Sequence, residues 1–260
     1  MNSSLNASSA PHSLGLSEPL HAVIIGGRSA VGSQLVQALA RGPESQVWAT
    51  GRSPEWVDAD EPRARVSRVR LDPACVDDWD RLTHQITDQG RPLNCVIHCA
   101  GLLHDEEVSP ERTWRQLDWD AMGAVFAANT LGPAMAIKHL MPLVTRSDRA
   151  LVASLSARVG SIGDNHLGGW YSYRASKAAQ NMMWRCAALE ARRLYRKLVC
   201  VTLHPGTVAS PLSAPFSSRV PEGKLFSPTR AADQLLHVLG GLQPADSGGF
   251  FAWDGQRIEW

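Results

Sequence analysis

The segment Trp170-Tyr171-Ser172-Tyr173-Arg174-Ala175-Ser176-Lys177 contains a phenol and a lysine at a spacing that permits proton transfer. Tyr173 and Lys177 are four residues apart, and the residues that follow them favour a helix. On a helix these two positions share a face, so both side chains can point into one cleft. A free tyrosine titrates near about pH 10, and a fixed cation beside it lowers its pKa toward the range of a general acid/base. Taken alone, this spacing also occurs by chance on ordinary helices.

Length and composition limit the class of protein. A chain of 260 residues, 44% of them hydrophobic and 20% charged, suits one soluble domain. A net charge of +1 gives no reason to expect nucleic acid or an anionic membrane as partner. No apolar run approaches the roughly 18 residues that span a bilayer, and the first basic residue is Arg28, so no secretory signal is expected.

Cysteine usage indicates the compartment. The five cysteines are odd in number, have no C-x-x-C spacing and lie mostly in apolar surroundings, where free thiols act as small core residues. We therefore expect a cytoplasmic protein without a metal site.

Short apolar runs alternate with amphipathic segments along the chain, which is typical of strands separated by helices. The predicted strands are 21–25, 46–50, 65–71, 93–98, 149–155, 198–203 and 250–253. The predicted helices are 29–40, 77–87, 113–144 with an interruption at 129–133, 173–197 and 229–239. Helices of this length imply crossover connections, so we predict one α/β domain over 20–260, a Rossmann-type doubly wound parallel sheet of about seven strands with helices on both faces. Residues 1–19, rich in Ser, Asn and Ala, are predicted to be a mobile leader.

A glycine-rich loop, Gly26-Gly27-Arg28-Ser29-Ala30-Val31-Gly32, lies between the first predicted strand and the first predicted helix. Glycine permits a tight turn there and lets the backbone approach a pyrophosphate at the helix N-terminus. Arg52 follows the second strand, where an acidic residue would bind the ribose of NAD, and an arginine suits the 2′-phosphate of NADP. Arg28 offers a second contact. The alternatives are a simple connecting turn and two solvated arginines.

Further residues fall in one order after this loop. They are Cys99-Ala100-Gly101 after the fourth strand, Asn129, Ser156, Tyr173 with Lys177, and Pro205-Gly206. With the glycine loop, this order resembles the classical short-chain dehydrogenase/reductase family over about residues 20–260. Within the family, residues 156–162 and 250–255 resemble the C-factor-like branch.

The resemblance implies catalytic roles. Tyr173 would be the acid/base, and Lys177 would lower its pKa and hold the nicotinamide ribose. Ser156 would hydrogen-bond the substrate oxygen. Asn129 would interrupt its helix and hold a water that relays protons to Lys177. Taken singly, Ser156 could merely close a loop, and Asn129 could merely interrupt a helix.

The resemblance also implies contacts with the cofactor NADP(H). Asp72 would meet the adenine amino group, although a turn residue before Pro73 is the alternative. Cys99, Ala100 and Gly101 would form the turn beneath the cofactor, and Pro205, Gly206 and Thr207 the turn along its nicotinamide side. The chain departs from the family pattern at Ile25, Ala30 and Cys99, where threonine, glycine and asparagine are usual.

Spacing ranks the competing serine and tyrosine side chains. Ser156 precedes Tyr173 by 17 residues, more than is usual in the family. Gly160 lies at the usual distance and has no hydroxyl, so Ser156 is a better candidate than Ser161. Tyr171 is a second phenol, but only Tyr173 has a lysine four residues later.

These features predict an NADP(H)-dependent oxidoreductase that interconverts a carbonyl and an alcohol on a small-molecule substrate. The loops 104–112 and 211–227 are expected to line the substrate cleft, and the second to close as a lid. The alternative is an NADP-binding signalling or sensor protein of the C-factor type with little turnover. The helices that contain Asn129 and Tyr173 form the usual dimer face of the family, which implies a homodimer or homotetramer.

Overall fold

A parallel sheet forms the centre of the computed structural model, which describes residues 14–42, 44–53 and 65–260. The strands are β1 (His21–Ile25), β2 (Gln46–Gly51), β3 (Val66–Arg70), β4 (Cys95–His98), β5 (Ala150–Leu155), β6 (Leu198–His204), β7 (Thr207–Val208), β8 (Leu225–Phe226) and β9 (Phe250–Ala252). Seven of them form the main sheet in the order β3-β2-β1-β4-β5-β6-β9, and every neighbouring pair is parallel. The predicted doubly wound sheet of about seven strands is confirmed. β7 and β8 form a separate two-stranded ribbon.

Helices cover both faces of this sheet. They are α1 (Ala30–Leu39), α2 (Val76–Thr87), α3 (Trp119–Phe126), α4 (Gly132–Leu140), α5 (Tyr171–Ala191) and α6 (Pro228–Gly241). α1 and α6 pack into one apolar core, and α2, α4 and α5 pack into the other. Within the described ranges, no helix is long and apolar enough to cross a membrane.

The central strands are buried on both sides, which explains their continuous apolar runs. Along β5, Leu151 and Ala153 belong to the core under α1 and α6, whereas Val152 belongs to the core under α5. Successive side chains of a strand point to opposite faces, so this alternation follows from the strand geometry. One row differs, because His98, Ser154 and Thr202 are paired in register across β4, β5 and β6 and are all fully buried polar residues.

Two predicted helices differ from the observed ones. The predicted helix 113–144 consists of 3₁₀ turns at Trp114–Gln116 and Met141–Leu143, with α3, a π-helical segment Ala127–Leu131 and α4 between them. The predicted interruption at 129–133 overlaps the end of the π-helical segment and the first two residues of α4. The predicted helix 173–197 begins at Tyr171 and ends earlier, at Ala191. Tyr195 turns into the core and its hydroxyl donates to the Met141 carbonyl at 2.9 Å, so the chain leaves the helix axis.

The start of the chain was predicted to be a mobile leader over 1–19. Residues 1–13 lie outside the described residues. Leu14 is fully buried, and its carbonyl accepts a hydrogen bond from Nε of Arg149 at 3.0 Å. The packed part of the chain therefore includes Leu14.

Candidate active site

A cleft of about 1220 Å³ opens at the carboxyl ends of the central strands. It lies where the strand order reverses between β1 and β4, the place where open α/β sheets bind ligands. The predicted residues that line it are Gly26, Arg28, Ser29, Val31, Arg52, Asp72, Cys99, Ala100, Gly101, Ser156, Tyr173, Lys177, Pro205, Gly206 and Thr207. Gly32 and Asn129 do not line the cleft themselves; Gly32 lies against Gly26, and Asn129 is hydrogen-bonded to Leu102.

The glycine loop is too tight to accept side chains at two positions. Gly26 has a φ of +77°, and a Cβ there would lie 2.7 Å from the Ala100 nitrogen. A Cβ on Gly32 would lie 2.3 Å from the Gly26 carbonyl oxygen. Ser29 caps α1 by accepting from the Gly32 N–H at 3.1 Å. The positive end of the α1 dipole therefore faces the cleft and favours an anionic group.

Thr50, which sequence reasoning missed, fixes this loop from β2. The Gly26 N–H donates to Thr50 Oγ1 at 3.3 Å, and the Gly27 N–H donates to the Thr50 carbonyl at 2.8 Å. The hydroxyl thus binds the backbone of Gly26, the first glycine of the loop. The residue before it is Ile25, at the position where the family usually has a threonine. A polar residue near the carboxyl end of an apolar strand was the available signal.

The end of the cleft beside β2 and β3, where the adenine is expected, has two exposed cations and one turn carboxylate. Arg28 and Arg52 are exposed and both line the cleft. Asp72 Oδ1 accepts from the Ala74 N–H at 3.0 Å, so this residue is a turn residue as well as a lining residue. Its own N–H donates to Asp78 at 2.8 Å. Burial opposes ionisation of Asp78, but hydrogen bonds from the Asp72 backbone and from Arg81 hold its pKa below the ordinary value.

Tyr173 and Lys177 converge in the cleft from the first turns of α5. Both are buried, and the Lys177 Nζ lies 5.8 Å from the centre of the phenol ring. Burial raises the pKa of Tyr173 to about 12 and lowers the pKa of Lys177 to about 7. The phenol's pKa is thus above its ordinary value, opposite to the lowering expected from Lys177, because desolvation of the phenolate dominates here. Tyr171, the competing phenol, is exposed and does not line the cleft.

Asn129 lies in the π-helical segment and joins the loop after β4 to α5. Its Nδ2 donates to the Leu102 carbonyl at 2.7 Å, and its Oδ1 accepts from the Leu102 N–H at 2.8 Å. Nδ2 also donates to Ser176 Oγ at 3.1 Å. A Cβ on Gly101 would lie 3.2 Å from Asn129 Oδ1 and 3.4 Å from Lys177 Nζ, so the three residues meet beneath the cleft. The water that Asn129 was predicted to hold stays a prediction.

Ser156 follows β5 and has a hydroxyl without a partner. Its N–H donates to the Leu203 carbonyl at 2.7 Å, while its buried Oγ has no hydrogen bond within the described residues. Ser161 Oγ accepts from the Asp164 N–H at 3.1 Å and so serves a local turn. Gly160 ends a 3₁₀ segment, Arg158–Gly160, and a Cβ on it would lie 2.8 Å from Lys177 Cβ, which places this segment directly against α5. Of the two candidate serines, only Ser156 keeps a free hydroxyl.

Aromatic residues line the cleft beside Tyr173. Trp170 packs edge-on against the Tyr173 ring at 6.2 Å and against Phe216 at 4.9 Å. Trp170 has a φ of 51°, in the left-handed region, and its N–H donates to the Glu111 carbonyl at 2.6 Å. His104 contacts Phe216 at 5.9 Å and reaches the Leu212 carbonyl at 3.1 Å. The predicted loops 104–112 and 211–227 therefore meet beside the phenol.

The turn after β6 closes the other side of the cleft. Gly206 has a φ of +78°, and a Cβ there would lie 2.5 Å from the Phe226 ring and 3.1 Å from Trp253. Thr207 begins the β7–β8 ribbon, which leads to the segment 211–227. The ribbon thus places this segment at the mouth of the cleft.

The profile of the family described as short chain dehydrogenase matches residues 20–220. The chain belongs to the short-chain dehydrogenase family. It is 35% identical over 183 residues to a Rhodococcus protein, 1-hydroxy-2-glutathionyl-2-methyl-3-butene dehydrogenase, covering 70% of this chain and 74% of that protein. It is 33% identical over 172 residues to C-signal of Myxococcus xanthus, covering 65% of this chain and 93% of that protein. The predicted family and its C-factor-like branch are confirmed.

Solved structures share the short-chain dehydrogenase fold of this chain. The NADPH-bound carbonyl reductase from chicken fatty liver matches with a TM-score of 0.81 and 24% identity, over 99% of this chain and 100% of that one. The carbonyl reductase Sniffer of D. melanogaster matches with a TM-score of 0.79 and 23% identity, over 92% of this chain and 99% of that one. These two likenesses concern the fold.

Proposed function

We propose that the chain is an NADP(H)-dependent oxidoreductase that interconverts a carbonyl and an alcohol. The main support is the convergence of Tyr173 and Lys177 in the cleft that the glycine loop also lines. A phenol beside a lysine transfers protons, and a glycine loop at a helix N-terminus binds phosphate. When bound, the nicotinamide supplies or accepts the hydride.

The chain's own residues would handle the proton and the substrate oxygen. Tyr173 donates its proton to the oxygen in reduction and takes it back in oxidation. Ser156 donates a hydrogen bond to the same oxygen from its unpartnered hydroxyl and stabilises the developing charge. Lys177 holds positive charge beside the phenol, and Asn129 keeps Leu102 and α5 together.

The cleft lining around the glycine loop supports a preference for NADP(H) over NAD(H). Arg28 and Arg52 are exposed cations on the cleft wall, and arginine at the end of the second strand suits a 2′-phosphate. Gly26 and Gly32 leave the loop close to the turn at Ala100, where a pyrophosphate can rest on the α1 N-terminus. Asp72 lies on the same wall for the adenine amino group.

The cleft lining around Tyr173 supports an apolar carbonyl compound or alcohol as the substrate. Trp170 and Phe216 form a wall against Tyr173, and Leu102, Leu103 and Leu212 complete this part of the lining. Apolar walls with few polar groups bind ligands through buried apolar surface, while the polar groups fix orientation.

Replacing Tyr173 by phenylalanine tests the proposal. The variant should lose NADPH-dependent reduction of a panel of aldehydes and ketones by at least about 10²-fold, the usual size of acid/base catalysis. It should still bind NADPH, as measured by cofactor fluorescence. Tyr171→Phe is the matched control, since that phenol is exposed on the same helix and should be dispensable. Full turnover by Tyr173→Phe would refute the assignment.

A signalling or sensor protein that binds NADP(H) with little turnover is the second candidate. The relationship to C-signal favours it, because the chain covers 93% of that protein at 33% identity. NADPH binding without NADPH consumption by the wild type, across the whole panel, would support this candidate over the enzyme.

We also propose that the chain forms a homodimer or homotetramer through the face of α3, the π-helical segment and α5. Large apolar side chains on these elements are exposed, with Trp119 at 89%, Leu131 at 58% and Met182 at 61%. Exposed apolar groups of this size on neighbouring elements are typical of protein interfaces. Sedimentation velocity measures the assembly directly.

A further inference from the structure

Gln180 connects Lys177 to β5 and has no role in the predicted site. It lies almost one turn after Lys177 on α5 and is fully buried. Its Oε1 accepts from Lys177 Nζ at 2.9 Å. Its Nε2 donates to Ser154 Oγ at 2.5 Å and to the Leu155 carbonyl at 3.2 Å. The Leu155 carbonyl is also the second acceptor of Lys177, at 3.1 Å.

The network permits one orientation of the Gln180 amide. An ammonium only donates hydrogen bonds, and a backbone carbonyl only accepts them. Turning the amide over would place its NH₂ group against the Lys177 ammonium and its oxygen against the Leu155 carbonyl. The Gln180 amide oxygen must therefore face Lys177. The hydrogen bonds from Nε2 to Ser154 and Leu155 hold the amide group in this orientation.

The charge on Lys177 depends on neutral acceptors. Titratable groups that line the cleft with it include Tyr173 on α5, His98 at the end of β4 and Cys99 directly after that strand. Burial keeps all three of them uncharged at neutral pH. The 3₁₀ segment against α5 contributes Arg158, whose side chain pairs with Asp164 at 3.0 Å. Within the described residues, no carboxylate forms an ion pair with Lys177, and its nitrogen donates to Leu155 and Gln180.

We propose that Gln180 is a positioning residue of this active site, which holds the Lys177 ammonium in place and sustains its charge at neutral pH. Burial favours the neutral amine, so the ammonium needs every acceptor it has. Hydrogen bonding to the charged form favours that form, and Gln180 supplies one of the two bonds seen. The inference rests on the proposed function in one respect, since a charged Lys177 serves catalysis only if Tyr173 transfers a proton.

NMR of lysine side chains tests the proposal without any turnover. The sequence has four lysines, Lys138, Lys177, Lys197 and Lys224, so lysine-labelled protein gives few signals and a Lys177→Arg variant assigns the one of interest. Gln180→Met keeps the side-chain length and removes the acceptor, and should lower the pKa of Lys177. Gln180→Glu adds a negative charge and should raise it, by about 1–3 units. Opposite shifts are the signature of an electrostatic role, because general damage to packing would affect both variants alike.

Two further variants complete the design. Ser154→Ala frees the Gln180 amide and should lower the pKa of Lys177 by less than Gln180→Met does. Gln234→Met on α6, across the sheet from α5, is the matched control and should leave the pKa unchanged. The pH at which carbonyl reduction is half-maximal should follow the NMR shifts in direction. Thermal unfolding of each variant verifies that it folds.

The outcomes separate the two proposals. Opposite shifts in the two Gln180 variants support the inference even if no carbonyl is reduced, in which case only the proposed function fails. An unchanged pKa of Lys177 in both variants, or shifts in the same direction, overturns the inference whatever the turnover.

Discussion

Replacing Gly26 by alanine perturbs the close approach of the glycine loop to the turn at Ala100. The residue has a φ of +77°, and an alanine in the left-handed region costs about 1–2 kcal/mol. The added Cβ would lie 2.7 Å from the Ala100 nitrogen and 2.9 Å from its Cα, both backbone atoms that cannot rotate away. Overpacking of this kind costs about 1–3 kcal/mol more. Together the variant should lose about 2–5 kcal/mol of unfolding free energy.

Gly90 offers a matched control at the end of α2. It has a φ of +65°, and no atom lies within 4 Å of the Cβ that alanine would add. Gly90→Ala therefore includes the backbone strain without the clash, at about 1–2 kcal/mol. Urea unfolding measures both variants. Because the turn at Ala100 must move in Gly26→Ala alone, that variant should also bind NADPH at least about tenfold more weakly, a loss of about 1.4 kcal/mol.

The result that would refute this reasoning is equality of the two variants. If Gly26→Ala and Gly90→Ala lose the same unfolding free energy, the close approach to Ala100 has no energetic consequence. If Gly26→Ala binds NADPH as the wild type does, the loop does not hold the cofactor where we place it.

Two further predictions concern the cofactor and pH. Arg52→Asp should weaken NADPH binding by about 10- to 100-fold, the value of a charge-assisted hydrogen bond, while NADH binding is kept; an unchanged preference for NADPH would contradict the assignment. Burial lowers the pKa of His98 from 6.5 to about 3 in the folded chain. Below pH 6.5 the unfolded chain takes up a proton that the folded chain does not. The free energy of unfolding therefore falls as the pH falls from 6.5 to about 3. Urea unfolding should show about 2 kcal/mol less stability from this residue at about pH 5 than at about pH 7.5, a difference absent in His98→Leu.

The fold could be predicted from hydropathy patterns because its strands are short and buried. The run from Leu93 to His98 is mostly apolar and buried on both faces, and β4 occupies its second part. Helix ends were less predictable, since they depend on distant contacts. α5 stops at Ala191 because Tyr195 reaches Met141, which is far away in sequence.

The residues of the candidate site also fall into two groups, those that could be predicted from the sequence and those that could not. Residues defined by local chemistry, such as Gly26 and the Tyr173 and Lys177 pair, were predicted from type and spacing, and the structure places them in one cleft. Residues that act through distant partners were missed. Gln180 reads as an ordinary helix residue until the fold brings Ser154 beneath it, and Thr50 matters only because the loop folds back on β2.

Burial acts in opposite directions on the two central groups. It raises the pKa of Tyr173 to about 12 and lowers that of Lys177 to about 7, so the phenol keeps its proton at neutral pH while burial opposes the charge on the Lys177 ammonium. Carbonyl reduction needs a proton donor, and the phenol already holds the proton. Alcohol oxidation needs the phenolate, which desolvation disfavours and the ammonium of Lys177 stabilises. In the proposed reaction the phenol therefore holds the proton that reduction needs, and the hydrogen bond from Lys177 to Gln180 sustains the ammonium beside it.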